Sequence, residues 1–284
     1  MLIHHFFDND TATFTYVVAD SKTKKCAIID AVLDFDMPSG RIVTHSADKV
    51  LEFIQLNHLE VEWILETHAH ADHLTAAQYL KNKVGGRIAI GEHIKDVQQF
   101  WMPLFNCSGE SSFDGSQFDH LFKDEETFYI GTLPVRVMHT PGHTPACVTY
   151  LIEDAAFVGD TLFMPYVGTA RTDFPGGSAN QLYRSIQKIL SLPENTRLFT
   201  CHDYPPSGQD PDCLSTVGAQ KKHNIMVKGD VSEEAYVIQR LAKDKGKPVP
   251  RLLLPSIQVN ILAGKLSEPE ANGIRYLKIP LNSL

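Results

Sequence analysis

The chain has 284 residues and a formal net charge of −8, with 34 acidic against 26 basic side chains, 43% hydrophobic residues and 21% charged ones. That length allows one large or two small domains, and the ordinary composition excludes a disordered, collagen-like or coiled-coil architecture. The acidic balance, with no dense basic run, argues against a nucleic-acid or anionic-membrane partner. Histidine is the unusual count, at 13, and imidazole is the commonest metal ligand in proteins.

Met1 to Asp8 has no basic region followed by an apolar core, so it does not read as a secretory signal. No apolar run approaches the length needed to span a bilayer. A soluble, cytoplasmic protein is the expectation. Five cysteines, Cys26, Cys107, Cys147, Cys201 and Cys213, are an odd number without a C-x-x-C pair. Reduced thiols are therefore expected rather than a disulfide framework.

Phe14 to Ala19 and Cys26 to Ile29 read as strands joined by a polar hairpin, with Asp30 closing the second. Ser46 is a candidate N-cap for a helix in which Val50, Phe53 and Ile54 recur at helical spacing. Trp63 to Leu65 is a short strand that runs into Thr67-His68-Ala69-His70-Ala71-Asp72-His73. Leu74 to Lys81 then reads as a helix, Arg87 to Ile90 as a strand and Glu92 to Trp101 as a helix. Residues 102–124, rich in Pro, Gly, Ser and Asn, read as a long loop or lid.

Further strands are expected at Phe128 to Ile130, Val135 to Met138, Val148 to Ile152, Ala155 to Val158 and Leu198 to Thr200. Helices are expected at Leu182 to Leu190, about Thr216 to Met226, and Ser232 to Asp244. Pro248, Pro250 and Pro255 argue against a helix after that, leaving an extended tail with one short turn. There is no internal repeat or low-complexity block. Alternating strands and helices predict an α/β layered fold.

The chemistry gathers at strand ends. His68, His70, Asp72 and His73 put three imidazoles and a carboxylate within six residues, on a loop between strand and helix. Such density is hard to reconcile with a merely solvated turn. Gly142-His143, Gly159-Asp160 and Cys201-His202-Asp203 each follow a strand and each offer a ligand-type side chain. Any one of these could be an ordinary turn. Together they can build one site on one rim of a sheet.

The ordered set His68, His70, Asp72, His73, His143, Asp160 and His202 resembles the metallo-β-lactamase superfamily over about residues 1–225. The resemblance implies an α/β fold of the αββα sandwich type, two mixed β-sheets flanked by helices, with the metal site along one edge. Residues 226–284 are then expected as a C-terminal helix and extended tail packed on the same domain. In that family Asp30 would brace the metal-binding loop; read locally, it could equally be a plain turn aspartate.

Within the superfamily, Gly168-Thr169-Ala170-Arg171-Thr172-Asp173-Phe174 resembles the Gly-x-x-Arg-Thr-Asp-Phe segment of persulfide dioxygenases, as does His202-Asp203-Tyr204. The runs Leu254 to Asn260 and Tyr276 to Asn282 resemble the bacterial branch of that group, sometimes labelled β-lactamase hydrolase-like. Two departures bear on substrate identity. Thr169-Ala170 stands where mitochondrial-type enzymes carry Cys-Gly, and Met164 to Val167 lacks an acidic residue expected in this branch.

The resemblance implies one Fe(II) per chain held by His68, His143 and Asp160, leaving open positions for a persulfide sulfur and for dioxygen. The reaction implied is oxidation of glutathione persulfide with O2 to sulfite and glutathione. His70, Asp72, His73 and His202 would then orient the ligands from behind or form a second metal position. Asp72 and Tyr204 are the candidate catalytic side chains. Arg171 and Tyr204 are candidates for substrate binding, Arg171 through a substrate carboxylate. The competing readings are a loop-bracing ion pair for Arg171 and plain packing for Tyr204.

The alternative is a glyoxalase II-like hydrolase of glutathione thioesters, with one or two Zn(II), or a dinuclear iron site, activating water. Its usual C-terminal basic glutathione site has only a weak counterpart here, around Lys221-Lys222-His223. A non-catalytic scaffold is disfavoured by the full ligand set, and a nuclease by the acidic charge. The apolar tail suggests a homodimer or homotetramer.

Overall fold

The structure, a computed structural model, describes residues 1–106 and 113–283. It opens with β1 (Leu2–Asp8), β2 (Thr13–Ala19) and β3 (Lys25–Ile29), paired antiparallel through short connections. β4 (Val32–Asp36) and β5 (Arg41–Val43) form a hairpin, followed by α1 (His45–Leu56) and β6 (Glu60–Leu65). After the histidine-rich loop come β7 (Leu74–Thr75), α2 (Ala77–Val84), β8 (Arg87–Gly91), α3 (Ile94–Leu104) and β9 (His120–Phe122). β3, β6, β8 and β9 run parallel, because helical crossovers separate them in sequence. The first sheet is thus β1-β2-β3-β6-β8-β9, and β5-β4-β7 is a small satellite sheet.

The second sheet holds β10 (Thr127–Ile130), β11 (Leu133–His139), β12 (Val148–Ile152), β13 (Ala155–Phe157), β14 (Arg197–Phe199) and β15 (Leu214–Thr216), in that order. Only β13 and β14 pair parallel, with α4 (Ala179–Leu190) in the crossover between them. α5 (Val217–His223), α6 (Glu233–Asp244) and α7 (Leu253–Asn260) complete the chain.

Period-2 patterning builds the layers. In β2, Tyr16 and Val18 face the second sheet, where they meet Val137, Tyr150, Phe157 and Phe199. Val17 and Ala19 face the other way, onto Val50 and Ile54 of α1, Leu80 of α2 and Trp101 of α3. The outer face of the second sheet, through Ala156, Val158 and Leu198, is covered by Leu182 and Ile186 of α4 and Tyr236 of α6. Helices, sheet, sheet, helices: this is the αββα sandwich. Among the described residues no helix is long and apolar enough to cross a membrane. Cys26, Cys147, Cys201 and Cys213 are free and buried.

Several local expectations are corrected. Ser46 lies inside α1, whose N-cap is Thr44. Its backbone N–H and hydroxyl both donate to Asp34 of β4, at 3.0 and 2.7 Å, so a distant carboxylate supplies the cap. The helix expected from Leu74 starts at Ala77, because Leu74 and Thr75 are drawn into pairing with β4. The loop expected over 102–124 loses its start to α3 and its end to β9, which adds to β8. Its residues 107–112, including Cys107, lie outside the described residues.

The C-terminal stretch carries two helices rather than one. Pro255 does not break α7, since it is the third residue of that helix, in the first turn, where a missing N–H costs nothing. α6 packs on the second sheet and α7 on the helical layer of the first.

Phe157 sits at the centre of the inter-sheet core, stacked on Phe199 at 5.0 Å and edge-on to Tyr16 at 5.1 Å. Phe157→Ala is expected to destabilise the fold by about 3–5 kcal/mol, measured as a lower denaturant midpoint at unchanged slope.

Candidate metal centre

The site forms where β3, β6, β11, β13 and β14 end on the same rim. Asp30, just past β3, has φ +52°, a left-handed conformation that aspartate tolerates better than most residues. This aims its carboxylate at the loop after β6. Oδ1 accepts from the Thr67 backbone N–H at 2.8 Å, and Oδ2 from the Thr67 hydroxyl at 2.9 Å. Oδ1 also lies 2.9 Å from His70 Nε2. Asp30 is therefore a brace, not a plain turn residue.

Two glycines have steric reasons to stand where they do. A Cβ on Gly142 (φ +137°) would fall 2.2 Å from the Leu182 backbone nitrogen, and one on Gly159 (φ +51°) would fall 2.6 Å from Thr67 Oγ1. The residues that follow them, His143 and Asp160, are thereby delivered close to the loop.

Each of the five imidazoles is tied by one nitrogen. His68 Nδ1 meets Thr67 Oγ1 at 3.0 Å, and that hydroxyl already donates to Asp30, so it accepts from the ring. His70 Nε2 faces Asp30 and, at 3.2 Å, Glu66. His73 Nδ1 lies 3.1 Å from the Leu74 carbonyl, His143 Nδ1 2.9 Å from the Arg171 carbonyl, and His202 Nδ1 3.1 Å from the Ala12 carbonyl. Carbonyls only accept, so these nitrogens carry a proton, and it is the opposite nitrogens that can offer a lone pair when the ring is neutral.

Those opposite atoms converge. His68 Nε2 and His143 Nε2 lie 3.9 and 3.6 Å from Asp160 Oδ2, while His202 Nε2 lies 3.5 Å from Asp160 Oδ1 and 2.9 Å from Asp72 Oδ2. Among the buried polar atoms without a hydrogen-bond partner are His70 Nδ1, His73 Nε2, His202 Nε2 and Asp160 Oδ1. Orphaned buried acceptors facing one another are costly unless a cation joins them. His68, His143 and Asp160 form one group with ligand atoms within 4.8 Å, and His70, Asp72 and His73 another. Imidazole and carboxylate donors suit Fe, Zn or Mn more than a soft-metal site.

Burial, helped by the neighbouring imidazoles, holds His68 well below the usual histidine range and His73 at about 3. Burial also opposes charge on His202, yet Asp72 and Asp160 outweigh it and hold that ring at about 9.

A cavity of about 390 Å³ opens onto Asp72, His143 and Asp160, and its walls include Phe163, Phe174, Tyr204 and Arg171. Tyr204 is half exposed, its ring parallel to His202 at 6.1 Å and edge-on to Phe163 at 6.2 Å. Arg171 reaches the cavity with its guanidinium already engaged. Nε and Nη2 donate to Asp173 at 2.6 and 2.7 Å, and Nη1 donates to the Pro248 carbonyl at 2.9 Å. Two of its five N–H groups stay outside these bonds.

Sequence reasoning missed several neighbours. Lys221, Lys222 and His223 are exposed at the end of α5, whereas the cations lining the cavity besides Arg171 are Arg240, Lys243 and Lys247. The buried Arg240 and Asp244 pair with each other and hold the 168–174 segment, through the Thr169 carbonyl and the Thr172 N–H. Glu66, fully enclosed behind His70, was also missed; its position immediately before Thr67-His68 was the available signal.

The family model described as Metallo-beta-lactamase superfamily matches residues 8–202. The Beta-lactamase hydrolase-like protein of Xylella fastidiosa (strain Temecula1) is 56% identical over 279 residues, covering 98% of this chain. The chain spans only 64% of that relative's length. Glyoxylase B2 of Dictyostelium discoideum is 50% identical, covering 99% of this chain and 97% of its own. The mitochondrial persulfide dioxygenase ETHE1 of Bos taurus is 28% identical over 95% of this chain and 91% of its own. The crystal structure of ETHE1 from Myxococcus xanthus superposes with a TM-score of 0.74 at 27% identity, over 93% of this chain and 100% of that one.

Asp30→Ala removes the brace from Thr67 and His70 without removing a lone pair that faces the cavity. A loss of about 10–100-fold in affinity for added divalent metal is expected, read by chelator competition at a temperature where the variant is folded, together with a lower apo-protein melting temperature.

Proposed function

Because the chain belongs to the metallo-β-lactamase superfamily, we propose that it is a metal-dependent enzyme acting on a small thiol-derived substrate, and specifically a persulfide dioxygenase using glutathione persulfide. One observation carries this reading. The segment Gly168 to Phe174, which resembles the persulfide dioxygenase signature, stands directly against the metal centre. Its Arg171 carbonyl accepts from His143 Nδ1 at 2.9 Å, and the Phe174 ring lies edge-on to His143 at 5.2 Å. The likeness to ETHE1 proteins over nearly the whole chain supports the same reading.

In this reading His68, His143 and Asp160 hold one Fe(II). Bound there, the iron would supply the electron transfer to dioxygen that closed-shell side chains cannot. Glutathione persulfide, dioxygen and water give glutathione and sulfite with two protons released; the outer sulfur loses four electrons and dioxygen gains them. The chain's own side chains bind and orient. Phe163 and Phe174 form an apolar wall beside the centre, which limits water and suits the sulfur chain. Lys243 and Lys247, with the free N–H groups of Arg171, offer positive charge to the substrate's carboxylates. His70, Asp72, His73 and His202 fix the loop, with Asp72 Oδ2 2.9 Å from His202 Nε2. Tyr204 closes one wall of the cavity.

A second reading is a glyoxalase II-like thioester hydrolase. It is favoured by the orphaned lone pairs of His70, His73 and His202, which leave room for a second metal, and by the likeness to Glyoxylase B2. The substrate's glutathione moiety would meet the same cations in either case.

Two tests separate the readings. Purified protein is expected to contain about one iron per chain and to consume dioxygen with glutathione persulfide, releasing sulfite. Zinc-loaded protein that cleaves S-lactoylglutathione, with no dioxygen uptake by the iron form, would establish the hydrolase instead. Arg171→Ala keeps the carbonyl that orients His143. It is expected to raise KM for glutathione persulfide about 10-fold, in line with about 1.5 kcal/mol for one charged hydrogen bond, at unchanged metal content.

A further inference from the structure

The loop that carries His70, Asp72 and His73 is held on its far side by one buried side chain from the end of α7. Asn260 is 4% exposed. Its Nδ2 donates to the His70 carbonyl and to the His73 carbonyl, both at 2.8 Å, and its Oδ1 accepts from the Thr75 N–H, also at 2.8 Å. An amide can make these three bonds at once because it presents two N–H donors and a carbonyl acceptor in one plane. A carboxylate of the same shape offers no donor, and an aliphatic residue offers neither. All three partners are backbone groups of residues 70–75, so the spacing of the His70 and His73 Cα atoms is set against a single rigid group. Thr75 extends the arrangement, since its hydroxyl donates to Glu66, and Glu66 lies against His70.

We infer that Asn260 is a positioning residue for the metal-binding loop, and that the C-terminal segment bearing it is part of the metal centre rather than a covering for the sandwich. The inference rests on the second-metal reading given above, in which His70, Asp72 and His73 face an ion of their own beside the His68, His143, Asp160 group. Asn260 touches neither the cavity nor any lone pair that faces a cation. Its effect passes through the loop backbone, and ligand spacing is where affinity for a geometrically demanding ion is decided. The group His70, Asp72, His73 therefore depends on Asn260 more than does the group His68, His143, Asp160.

Gln258, two residues earlier on the same helix, provides a matched control. It bonds the Leu254 and Lys278 carbonyls and the Lys278 N–H, tying α7 to the tail and not to the loop. The full-length chain is stripped of metal and titrated with Co(II), following the d–d absorption band and competition against a chelator, alongside apo-protein thermal melts. Asn260→Asp and Asn260→Ala are each expected to lower Co(II) affinity about 10–100-fold and to alter the d–d band. Gln258→Ala is expected to lower the melting temperature with affinity and band unchanged. Equal losses of affinity in the Gln258 and Asn260 variants, or a wild-type band in Asn260→Asp, would overturn the positioning role. His73→Ala tests the underlying reading separately. If it binds Co(II) as the wild type does, the second metal position fails, and the inference with it, while the His68, His143, Asp160 site stands; if it loses affinity while the Asn260 variants do not, only the inference about Asn260 fails.

Discussion

The structure depends above all on the Asp30 carboxylate. It sits at a left-handed backbone position at the end of β3 and reaches across to the loop after β6, the strand paired parallel to β3. Two bonds to Thr67 and one contact with His70 tie the first sheet to the histidine loop. Burial raises the cost of that charge, but the His70 ring and the Thr67 donors hold Asp30 below the usual carboxylate range. Two buried carboxylates, Asp30 and Glu66, thus enclose one imidazole. Removing either partner of such a pair leaves an uncompensated charge, which is where buried ionic groups become strongly destabilising. The strained backbone at Asp30 fits this pattern, since such conformations persist where the surroundings over-determine them.

From that anchor the rest of the centre is assembled by groups that carry no metal-facing atom. The carbonyls of Leu74, Ala12 and Arg171 each accept from a different imidazole. They select which nitrogen keeps its proton, so that four rings present Nε2 and His70 presents Nδ1. Each carbonyl comes from a different part of the chain, the β1–β2 turn, β7 and the loop between β13 and α4, which makes the tautomer pattern a property of the folded sandwich. The 168–174 segment belongs to this outer frame as much as to the cavity. Asp244 and Arg240 hold it from α6, and it holds His143 in turn. The Arg171 side chain braces against Asp173 while still lining the cavity, so the two readings that sequence reasoning treated as rivals do not exclude each other.

Much of the strand framework was legible because it follows from local physics. β2, β3, β6, β8, β10, β11 and β12 are runs of β-branched and aromatic residues bounded by turns, and α4 and α6 follow helical spacing after Ser178 and Ser232, whose hydroxyls accept from the N–H three residues on. The errors fell where a distant partner decides. Ser46 looked like a cap because Asp34 is invisible from its neighbourhood, and Thr75 looked helical because its pairing with Val32 is long-range. Pro255 looked like a helix breaker because its place in the first turn depends on where α7 begins.

The sequence by itself determined the inventory of the site. His68, His70, Asp72, His73, His143, Asp160 and His202 stand in order at strand ends, and the alternation of strands with helices implies the layers that bring those ends together. By resemblance it also singled out the 168–174 segment, which the structure sets beside His143. Only the tertiary structure decided which nitrogen of each imidazole faces inward, that Lys243 and Lys247 rather than Lys221 and Lys222 meet the cavity, and that Glu66 and Asn260 stand behind the loop. The reason is physical. Ligand identity is a property of side chains and can be read along the chain, whereas tautomer, orientation and local charge are set by hydrogen-bond partners. Those partners lie as far as 190 residues away in sequence, and no local pattern encodes them.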